Sequence, residues 1–396
     1  MKKFFYPLIE NPYRNKDIQE GIKILKSKRL TIGPKTDEFQ RYFSKKIKSK
    51  FSLMVNSGSS ANLLALQCLI NPYRKKRLKP GDEVLIPSLC WSTSLWPIIQ
   101  SGLKPKFVDI NLETLNINLN DLKKKISKKT KAILIVHVLG NCADMTELMH
   151  IVKRHKLILI EDTCESLGTK FKNKYLGTFG DFSSFSFYSS HQISSGEGGM
   201  ICCKNNEDHE IIKSLRAHGW SRGLKNERKI ASANKHLDSR FIFYNSGFNL
   251  RSTDIAASIG FSQFKDLDKF IKYRTSNRIK ILRSLKKNKK IQKKVTFIEA
   301  NNHVKASWFG IPIILTKNIN RNKFLKKIER IGVETRPIIS GNFLKQPSIK
   351  KYNLLLNSRF INSDIINKHG FFIGLPTSPI SDKKIKKLVG AFEESL

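Results

Sequence analysis

Acidic side chains are scarce in this sequence: 32 Asp and Glu stand against 73 Lys and Arg, and the formal net charge is +41. Such an excess of positive charge attracts anions, nucleic acids included. The lysines are spread along the whole chain, however, and runs such as Lys123-Lys124-Lys125 are typical of solvated helix faces. Because no RNA- or DNA-binding motif accompanies them, we expect no nucleic-acid partner.

Long apolar runs are also missing. No stretch of about eighteen consecutive apolar residues occurs, so we expect no transmembrane helix and no membrane partner. The first residues, Met1 to Pro7, include basic side chains but no sustained apolar segment, which argues against a secretory signal. We therefore expect a cytoplasmic protein.

Cysteine is infrequent and is not arranged to bind metal. No Cys-x-x-Cys pair and no histidine cluster at zinc spacing is present, so we expect no metal site. Free, buried thiols are the expected state of the six cysteines, which are Cys68, Cys90, Cys142, Cys164, Cys202 and Cys203.

The apolar pattern alternates between short strand-like runs and helical segments. Strands are predicted at 52–56, 83–87, 106–110, 131–137 and 157–162, with helices at 120–128 and 144–156 between them. Near the start, a helix is predicted at 16–28, with Ile18, Ile22 and Leu25 on one side. This alternation predicts an α/β fold with a mainly parallel sheet covered by helices.

The C-terminal part has a different pattern. One long helix is predicted at 252–287, followed by a strand at 308–315, a helix at 320–331 and a strand at 333–337. With 396 residues and 40% hydrophobic composition, the chain can form two cores. We expect a large domain at 1–265, which includes the N-terminal helical segment, and a smaller C-terminal α+β domain at 266–396.

Three stretches have the composition of a ligand site. Residues 182–200 form a serine- and aromatic-rich strand, a polar loop with the single histidine His191, and a Gly198-Gly199 turn that allows close approach of a ligand. Gly58, Ser59 and Ser60 begin a helix, where amides bind anions, although the residues by themselves favour an ordinary serine cap. Asp162 ends a buried strand at the ligand edge of such a sheet, or caps a helix.

Together these stretches resemble the DegT/DnrJ/EryC1/StrS family of sugar aminotransferases, which use pyridoxal 5'-phosphate (PLP) and have the aspartate aminotransferase fold, fold type I. Members carry Ser-Phe-x-x-x-Lys before a Gly-Gly turn, and the lysine binds PLP covalently. Ser186 and Phe187 keep their places here, but His191 occupies the lysine position. That departure is the pattern of the NDP-4-keto-6-deoxysugar 3-dehydratases, which use pyridoxamine 5'-phosphate.

The resemblance implies a role for each matching residue. The cofactor phosphate is expected at Gly58, Ser59, Ser60 and Ser186, together with Asn249 of a partner subunit, which implies a homodimer. Trp91 is expected to stack on the cofactor ring, and Asp162 to pair with its ring nitrogen. Glu165 replaces the glutamine of the aminotransferases, as it does in the dehydratases. The remaining residues are His218, which is either a second catalytic group or a helix cap, and the substrate-binding candidates Arg251, Glu334 and Arg336.

The implied activity is removal of the C3 hydroxyl from an NDP-4-keto-6-deoxyhexose for 3,6-dideoxysugar and lipopolysaccharide O-antigen biosynthesis. His191 is expected to act as base and acid with a pKa near its ordinary value. L-glutamate is the expected amino donor. GDP-4-keto-6-deoxymannose is preferred because the CDP-sugar relative carries an iron–sulfur cluster on a cysteine run that is missing here. The alternatives are that CDP-sugar dehydratase, a sugar aminotransferase, and a non-catalytic ligand-binding protein.

Overall fold

The computed structural model of the protein describes residues 4–10, 12–354 and 359–396. The described helices, in chain order, are α1 (Asn15–Lys26), α2 (Pro34–Ile47), α3 (Gly58–Ile70), α4 (Ser92–Gln100), α5 (Leu119–Lys125), α6 (Met145–Arg154), α7 (Asn206–Arg216), α8 (Glu227–Ala233), α9 (Asp254–Lys265), α10 (Leu267–Lys287), α11 (Lys289–Lys294), α12 (Arg321–Ile331), α13 (Pro347–Lys351), α14 (Ile361–His369) and α15 (Asp382–Ser395). The described strands are β1 (Phe51–Val55), β2 (Glu83–Pro87), β3 (Lys104–Val108), β4 (Thr130–Val136), β5 (Ile158–Asp162), β6 (Lys170–Phe171), β7 (Lys174–Tyr175), β8 (Phe182–Ser186), β9 (Gly199–Cys203), β10 (Val295–Phe297), β11 (Val304–Lys305), β12 (Gly310–Leu315), β13 (Thr335–Arg336) and β14 (Gly370–Gly374).

A seven-stranded sheet forms the centre of the molecule, in the order β1-β9-β8-β5-β4-β2-β3. The pairs from β8 through β3 are parallel, whereas β9 is antiparallel to both of its neighbours. The predicted mainly parallel, helix-covered sheet is thus confirmed. Since the parallel strands share one direction, the ends of β1, β5 and β8 meet at the same edge, where loops form ligand sites in this class of fold.

A layer of phenylalanine rings fixes the end of β8 against the N-terminal helices. Phe39 and Phe43 of α2 pack on Phe187, which follows β8, and on Phe264 of α9, with ring centroids 4.8–6.1 Å apart. All four side chains are fully buried. Each such burial stabilises the fold by roughly 1.5–3 kcal/mol. The first residue of the loop that carries His191 is therefore held by the core.

The predicted N-terminal helix is present as α1, but its apolar side faces outward. Ile18 and Leu25 are 47% and 52% exposed. The helix contacts α9 through its smallest residue, Gly21, where an added Cβ would lie 3.1 Å from Ile259. Buried Asp17 accepts a hydrogen bond from the Ser262 hydroxyl. Close packing through glycine thus decides the orientation of α1 against its hydrophobic pattern.

The prediction of a single helix at 252–287 is wrong, because α9 and α10 are separated at Asp266. Its backbone, with φ −100° and ψ 9°, leaves the helical region. The carboxylate accepts a hydrogen bond of 2.6 Å from Arg14, and Asp favours helix ends over helix interiors. The interruption lies at the expected domain boundary, although the division at residues 265 and 266 stays a prediction.

The C-terminal part forms a second, antiparallel sheet in the order β10-β12-β14-β13, with its own apolar core from Tyr6 and residues 281–392. This arrangement matches the expected α+β composition of the smaller part. Across the described residues, no helix is long and apolar enough to cross a membrane. The six cysteines are free thiols, five of them buried, as predicted.

Candidate active site

Three backbone segments meet at the carboxyl edge of the large sheet and form a cup. Gly58 begins α3 directly after β1, and it lies against Ser186 at the end of β8 and against Cys164. A Cβ added to Gly58 would lie 2.7 Å from both Ser186 Cβ and Cys164 Sγ. A Cβ added to Gly199 would lie 2.6 Å from the Gly58 nitrogen. Glycine is therefore required at both positions for the segments to come this close.

The start of α3 contains both a serine cap and amides that are free to bind an anion, and these belong to different residues. Ser57 is the helix cap, because its hydroxyl accepts the Ser60 amide at 3.1 Å. The Ser60 hydroxyl donates to Asn56 at 2.6 Å and is largely buried. The amides of Gly58 and Ser59, in the first turn, have no acceptor within the helix and can bind an anion. The Ser59 hydroxyl lies 2.8 Å from the Thr93 hydroxyl at the start of α4.

Asp162 is a buried carboxylate at the end of β5, as predicted. Its Oδ2 accepts hydrogen bonds of 2.8 Å from Asn62 and from Ser94, and its Oδ1 accepts one of 3.2 Å from the Cys164 amide. Oδ1 therefore retains acceptor capacity for a cation. Sequence analysis did not single out Asn62 or Ser94. A polar side chain in the otherwise apolar run of α3 was the available signal for Asn62.

The neighbouring Glu161 has a structural role. Its carboxylate is fully buried and accepts hydrogen bonds from His137 and from the amides of Gly177, Phe179 and Gly180, at 2.6–3.0 Å. Burial by itself would raise its pKa, but these donors outweigh burial and hold the pKa of Glu161 below its ordinary value. The four donors fix the end of β5 and hence the position of the carboxylate that follows it.

Glu165 lies under the same edge, in the turn after β5. Its Oε2 accepts the Leu139 amide at 3.0 Å, and its carbonyl accepts a hydrogen bond from the Gln192 side chain. Burial, with a smaller contribution from the charge of Asp162, raises the pKa of Glu165 to about 7. This carboxyl group can therefore carry a proton at neutral pH, and it is linked to the loop that bears His191.

His191 lies in the loop after β8, with its ring edge-on to Phe309 at a centroid distance of 5.2 Å. Nδ1 lies 3.5 Å from the Ser190 hydroxyl. Burial, assisted by the positive charge of Arg274, lowers the pKa of His191 to about 3. The expectation of an ordinary histidine pKa is wrong for this reason, and the imidazole is neutral at physiological pH.

Trp91 stands before α4 and is 56% exposed, which is unusual for an indole ring. The preceding carbonyl, that of Cys90, accepts a hydrogen bond of 2.7 Å from the Ser340 hydroxyl. A loop of the C-terminal part thus reaches the same segment. Because α4 also supplies Ser94 to Asp162, the exposed face of Trp91 lies near the cup and is available for stacking.

His218, Asn249 and Arg251 form a separate cluster. Arg251 lies 3.1 Å from His218 Nε2 and donates to Asn249 Oδ1 at 3.1 Å. The cluster flanks the edge strand β1 through a bridge between Val55 and Arg251. In the described parts of the chain, no hydrogen bond joins it to His191 or Asp162. The His218 ring bonds to Arg251, whereas its backbone, with φ 61°, follows the last residue of the α7 cap, Ala217, in the left-handed conformation typical of helix ends. Both alternatives for His218 therefore stay predictions.

Glu334 and Arg336 pair with each other at 2.8 Å beside the small sheet. Glu334 also accepts the Leu8 amide at 2.9 Å, and Arg336 donates to the Thr335 carbonyl at 3.0 Å. The hydrogen bond from Leu8 holds the N-terminal segment, and none of these contacts reaches the cup. A substrate role for either residue stays a prediction.

The comparisons with known proteins identify the family. The model of the DegT/DnrJ/EryC1/StrS aminotransferase family matches residues 12–393. The chain belongs to this family. The GDP-4-keto-6-deoxy-D-mannose 3-dehydratase of Escherichia coli O55:H7 is 36% identical over 375 residues, which are 93% of this chain and 95% of the relative.

Solved structures of DegT/DnrJ/EryC1/StrS family members agree with this fold. The E. coli GDP-4-keto-6-deoxy-D-mannose-3-dehydratase with bound hydrated PLP superimposes with a TM-score of 0.91 at 34% identity, covering 99% of this chain and 100% of the other. A GDP-4-keto-6-deoxymannose-3-dehydratase with a trapped PLP-glutamate geminal diamine gives a TM-score of 0.90 at 34% identity, covering 98% and 100%. The expected fold type I architecture is confirmed.

The residues of the cup fit the PLP of this family. The glycine cradle at Gly58 and Gly199 leaves room that a side chain would fill. The first amides of α3 suit a phosphate, and the partly free Oδ1 of Asp162 suits a protonated ring nitrogen. Among the described residues, no lysine takes the place of His191, so PLP would be held here without a covalent bond.

Proposed function

We propose that this chain is a PLP-dependent 3-dehydratase that acts on GDP-4-keto-6-deoxymannose. The observation that carries the proposal is the histidine in the loop after β8, His191, at the position where the aminotransferases of the family have lysine. The E. coli relative that matches over 95% of its own length is named as a GDP-4-keto-6-deoxy-D-mannose 3-dehydratase. Product formation would serve 3,6-dideoxysugar and lipopolysaccharide O-antigen biosynthesis.

The side chains of the cup would hold the cofactor in one orientation. The amides of Gly58 and Ser59 would bind the phosphate, and Asp162 Oδ1 would accept the proton of the ring nitrogen. Asn62 and Ser94 fix the orientation of that carboxylate by donating to its other oxygen. In its pyridoxamine form, the bound cofactor supplies an amino group for the C4 ketone and an electron sink.

His191 would move the proton that elimination of the C3 hydroxyl requires. A neutral imidazole has one free nitrogen that can accept a proton, and Nε2 is the nitrogen that does not face Ser190. Once protonated in a site that disfavours its charge, the same ring is a strong acid and can donate the proton to the departing C3 hydroxyl. The imidazole cannot form the covalent link that lysine forms, so elimination is favoured over amine transfer.

A homodimer with shared sites belongs to the same proposal. Asn249 is exposed beside β1, and two aromatic side chains near it, Phe241 and Phe243, are 57% and 59% exposed. Both rings lie against Trp220, whose face Arg251 covers at 5.7 Å. An exposed aromatic patch of this kind is typical of a subunit interface. Asn249 would then reach the phosphate in the partner's cup.

The amino donor and the location follow from the same chemistry. We propose L-glutamate as the donor that regenerates the amine form of the cofactor, because a related dehydratase has been trapped with a PLP-glutamate geminal diamine. A cytoplasmic location stays a prediction. The aminotransferase and ligand-binding alternatives are disfavoured, since the first needs a lysine at position 191 and the second does not need the hydrogen bonds that orient Asp162.

The test is an incubation of the protein with PLP, L-glutamate and GDP-4-keto-6-deoxymannose, with the CDP-sugar in parallel, followed by mass spectrometry of the nucleotide sugars. We expect the 3-deoxy product from the GDP-sugar. His191→Asn should abolish its formation, whereas His209→Asn, a half-buried histidine packed on Phe51, should leave it unchanged. An aminated sugar in place of the deoxy product would refute the proposal.

A further inference from the structure

Arg274, in the first half of α10, is a buried cation without a carboxylate partner in the described chain. Its side chain is 3% exposed, and burial lowers its pKa to about 10. A buried arginine that forms no ion pair costs folding free energy, which its hydrogen bonds only partly offset. Both terminal nitrogens are engaged: Nη1 donates to the Trp308 carbonyl at 3.1 Å and Nη2 to the His191 carbonyl at 3.3 Å.

These two carbonyls belong to different parts of the molecule. His191 is in the loop at residues 187–198, here named the His191 loop, which joins β8 to β9 of the large sheet. Trp308 precedes β12 of the small sheet. Arg274 therefore connects the backbone of His191 to the C-terminal part with a single planar group, whose two donors have a fixed spacing.

The next residue repeats the connection. The side-chain amide of Gln192 donates to the Ser307 carbonyl at 3.0 Å and to the Glu165 carbonyl. The His191 ring itself packs edge-on against Phe309. Residues 307–309 thus contact the His191 loop directly at two points, and Arg274 adds a third, bridged connection that carries a positive charge.

We propose that Arg274 is a positioning residue for His191, whose guanidinium fixes the His191 loop against residues 307–309 and so places the imidazole in the cup. The inference rests on the proposed function, in which His191 moves the proton. Tyr188, Phe309 and Arg274 face the imidazole from the loop, from the segment before β12 and from α10. Of these three, Arg274 alone is charged at neutral pH, so it also disfavours a second positive charge on the ring.

The experiment compares three variants of the PLP-loaded protein: Arg274→Met, Arg274→Lys and the matched control Arg278→Met. Arg278 lies one turn further along α10, is also largely buried, and bonds to Glu299 and Ile298. Its guanidinium stacks on the Trp308 ring at 4.1 Å but, within the described chain, forms no hydrogen bond to the His191 loop, so this control keeps the packing on residues 307–309 apart from the bond to His191. The measurements are kcat and KM for dehydration, thermal unfolding, and the pKa of His191 by NMR of labelled imidazoles, with His191→Asn identifying the signal.

Arg274→Met is expected to lower kcat about 100-fold, the effect of misplacing a catalytic group by about 1 Å, with KM nearly unchanged. The pKa of His191 should rise measurably in this variant. Arg274→Lys should keep the low pKa but still lose kcat, because one ammonium group cannot span both carbonyls. Arg278→Met should lose thermal stability while kcat and the pKa of His191 stay as in the parent.

Equal losses of kcat in Arg274→Met and Arg278→Met, with no change in the pKa of His191 in either, would overturn the inference and leave a purely structural role. If Arg274→Met does not fold, full activity in Arg274→Lys would overturn it equally. The NMR measurement separates this inference from the proposed function. A parent protein that dehydrates no sugar refutes the function, whereas the pKa of His191 still reports on Arg274.

Discussion

Replacement of Asp162 by asparagine is the most direct test of the cup. The asparagine oxygen can still accept from Asn62 and Ser94, which donate to Oδ2 at 2.8 Å in the parent. The amide nitrogen would then occupy the place of Oδ1 and meet the Cys164 amide, which is also a donor. The variant thus loses the acceptor that faces the cofactor and gains one donor–donor conflict.

The magnitude follows from the burial of Asp162, which is 4% exposed. Little solvent screens its charge, so loss of a preorganised electrostatic partner should lower kcat by about 10²–10³, or about 3–4 kcal/mol. The unsatisfied amide at Cys164 should lower the free energy of unfolding by about 1–3 kcal/mol. We expect Asp162→Asn to fold, to bind PLP more weakly and to lose nearly all turnover.

The assay combines mass spectrometry of the deoxysugar product with absorbance titration of PLP. Asp208→Asn is the matched control: Asp208 is also fully buried and accepts from Arg74 and Asn205 at 2.6–2.7 Å, but it lies on α7 away from the cup. This control should lose stability and keep its kcat. Turnover in Asp162→Asn within about threefold of the parent, or an equal loss of kcat in Asp208→Asn, would refute the assigned role.

Three further predictions follow from the described contacts. Gly58→Ala should weaken PLP binding at least tenfold in an absorbance titration, because the new Cβ meets Ser186 and Cys164 at 2.7 Å, whereas Gly390→Ala, with no atom within 4 Å of its Cβ, should bind normally. Subunit exchange between inactive His191→Asn and inactive Asn249→Ala chains should restore part of the activity if the cups are shared; verified heterodimers without activity would contradict this. The pKa of Glu165 is about 7 in the folded protein, against its ordinary 4.5. Between these two pH values the folded protein holds a proton that the unfolded chain has lost, so the contribution of Glu165 to the free energy of unfolding falls as pH rises from 4.5 through 7. Glu165→Gln should remove that fall in pH-dependent urea melts, and an unchanged profile would contradict the assignment.

The sequence was most informative where a local pattern has a local cause. Alternating apolar runs and helical segments predicted the large sheet, since each strand and helix shows its own period. Asp162 was expected at the sheet edge because a parallel strand that ends in an acid places it there. The long helix at 252–287 was a wrong prediction, because the hydrogen bond that engages Asp266 comes from Arg14, which is distant in the sequence.

The electrostatics of the site could not be predicted in the same way. An imidazole pKa near its ordinary value was expected for His191, but burial and Arg274 lower it to about 3. A pKa depends on the solvent and the charges around a group, and Arg274 is 83 residues away along the chain. The donors to Asp162 were missed for the same reason, since Asn62 and Ser94 are 100 and 68 residues from it.

The sequence by itself determined the types of groups that meet at the cup. These are the glycines that let backbone segments lie close together, the carboxylate at the end of a strand, and the histidine in place of lysine. The identity of each residue is fixed by the sequence and does not depend on how the chain packs. The tertiary structure decided which hydroxyl caps α3, which donors hold Asp162 in place, and which cation faces His191. Those properties arise from desolvation and from contacts between distant segments, and neither exists until the chain has folded.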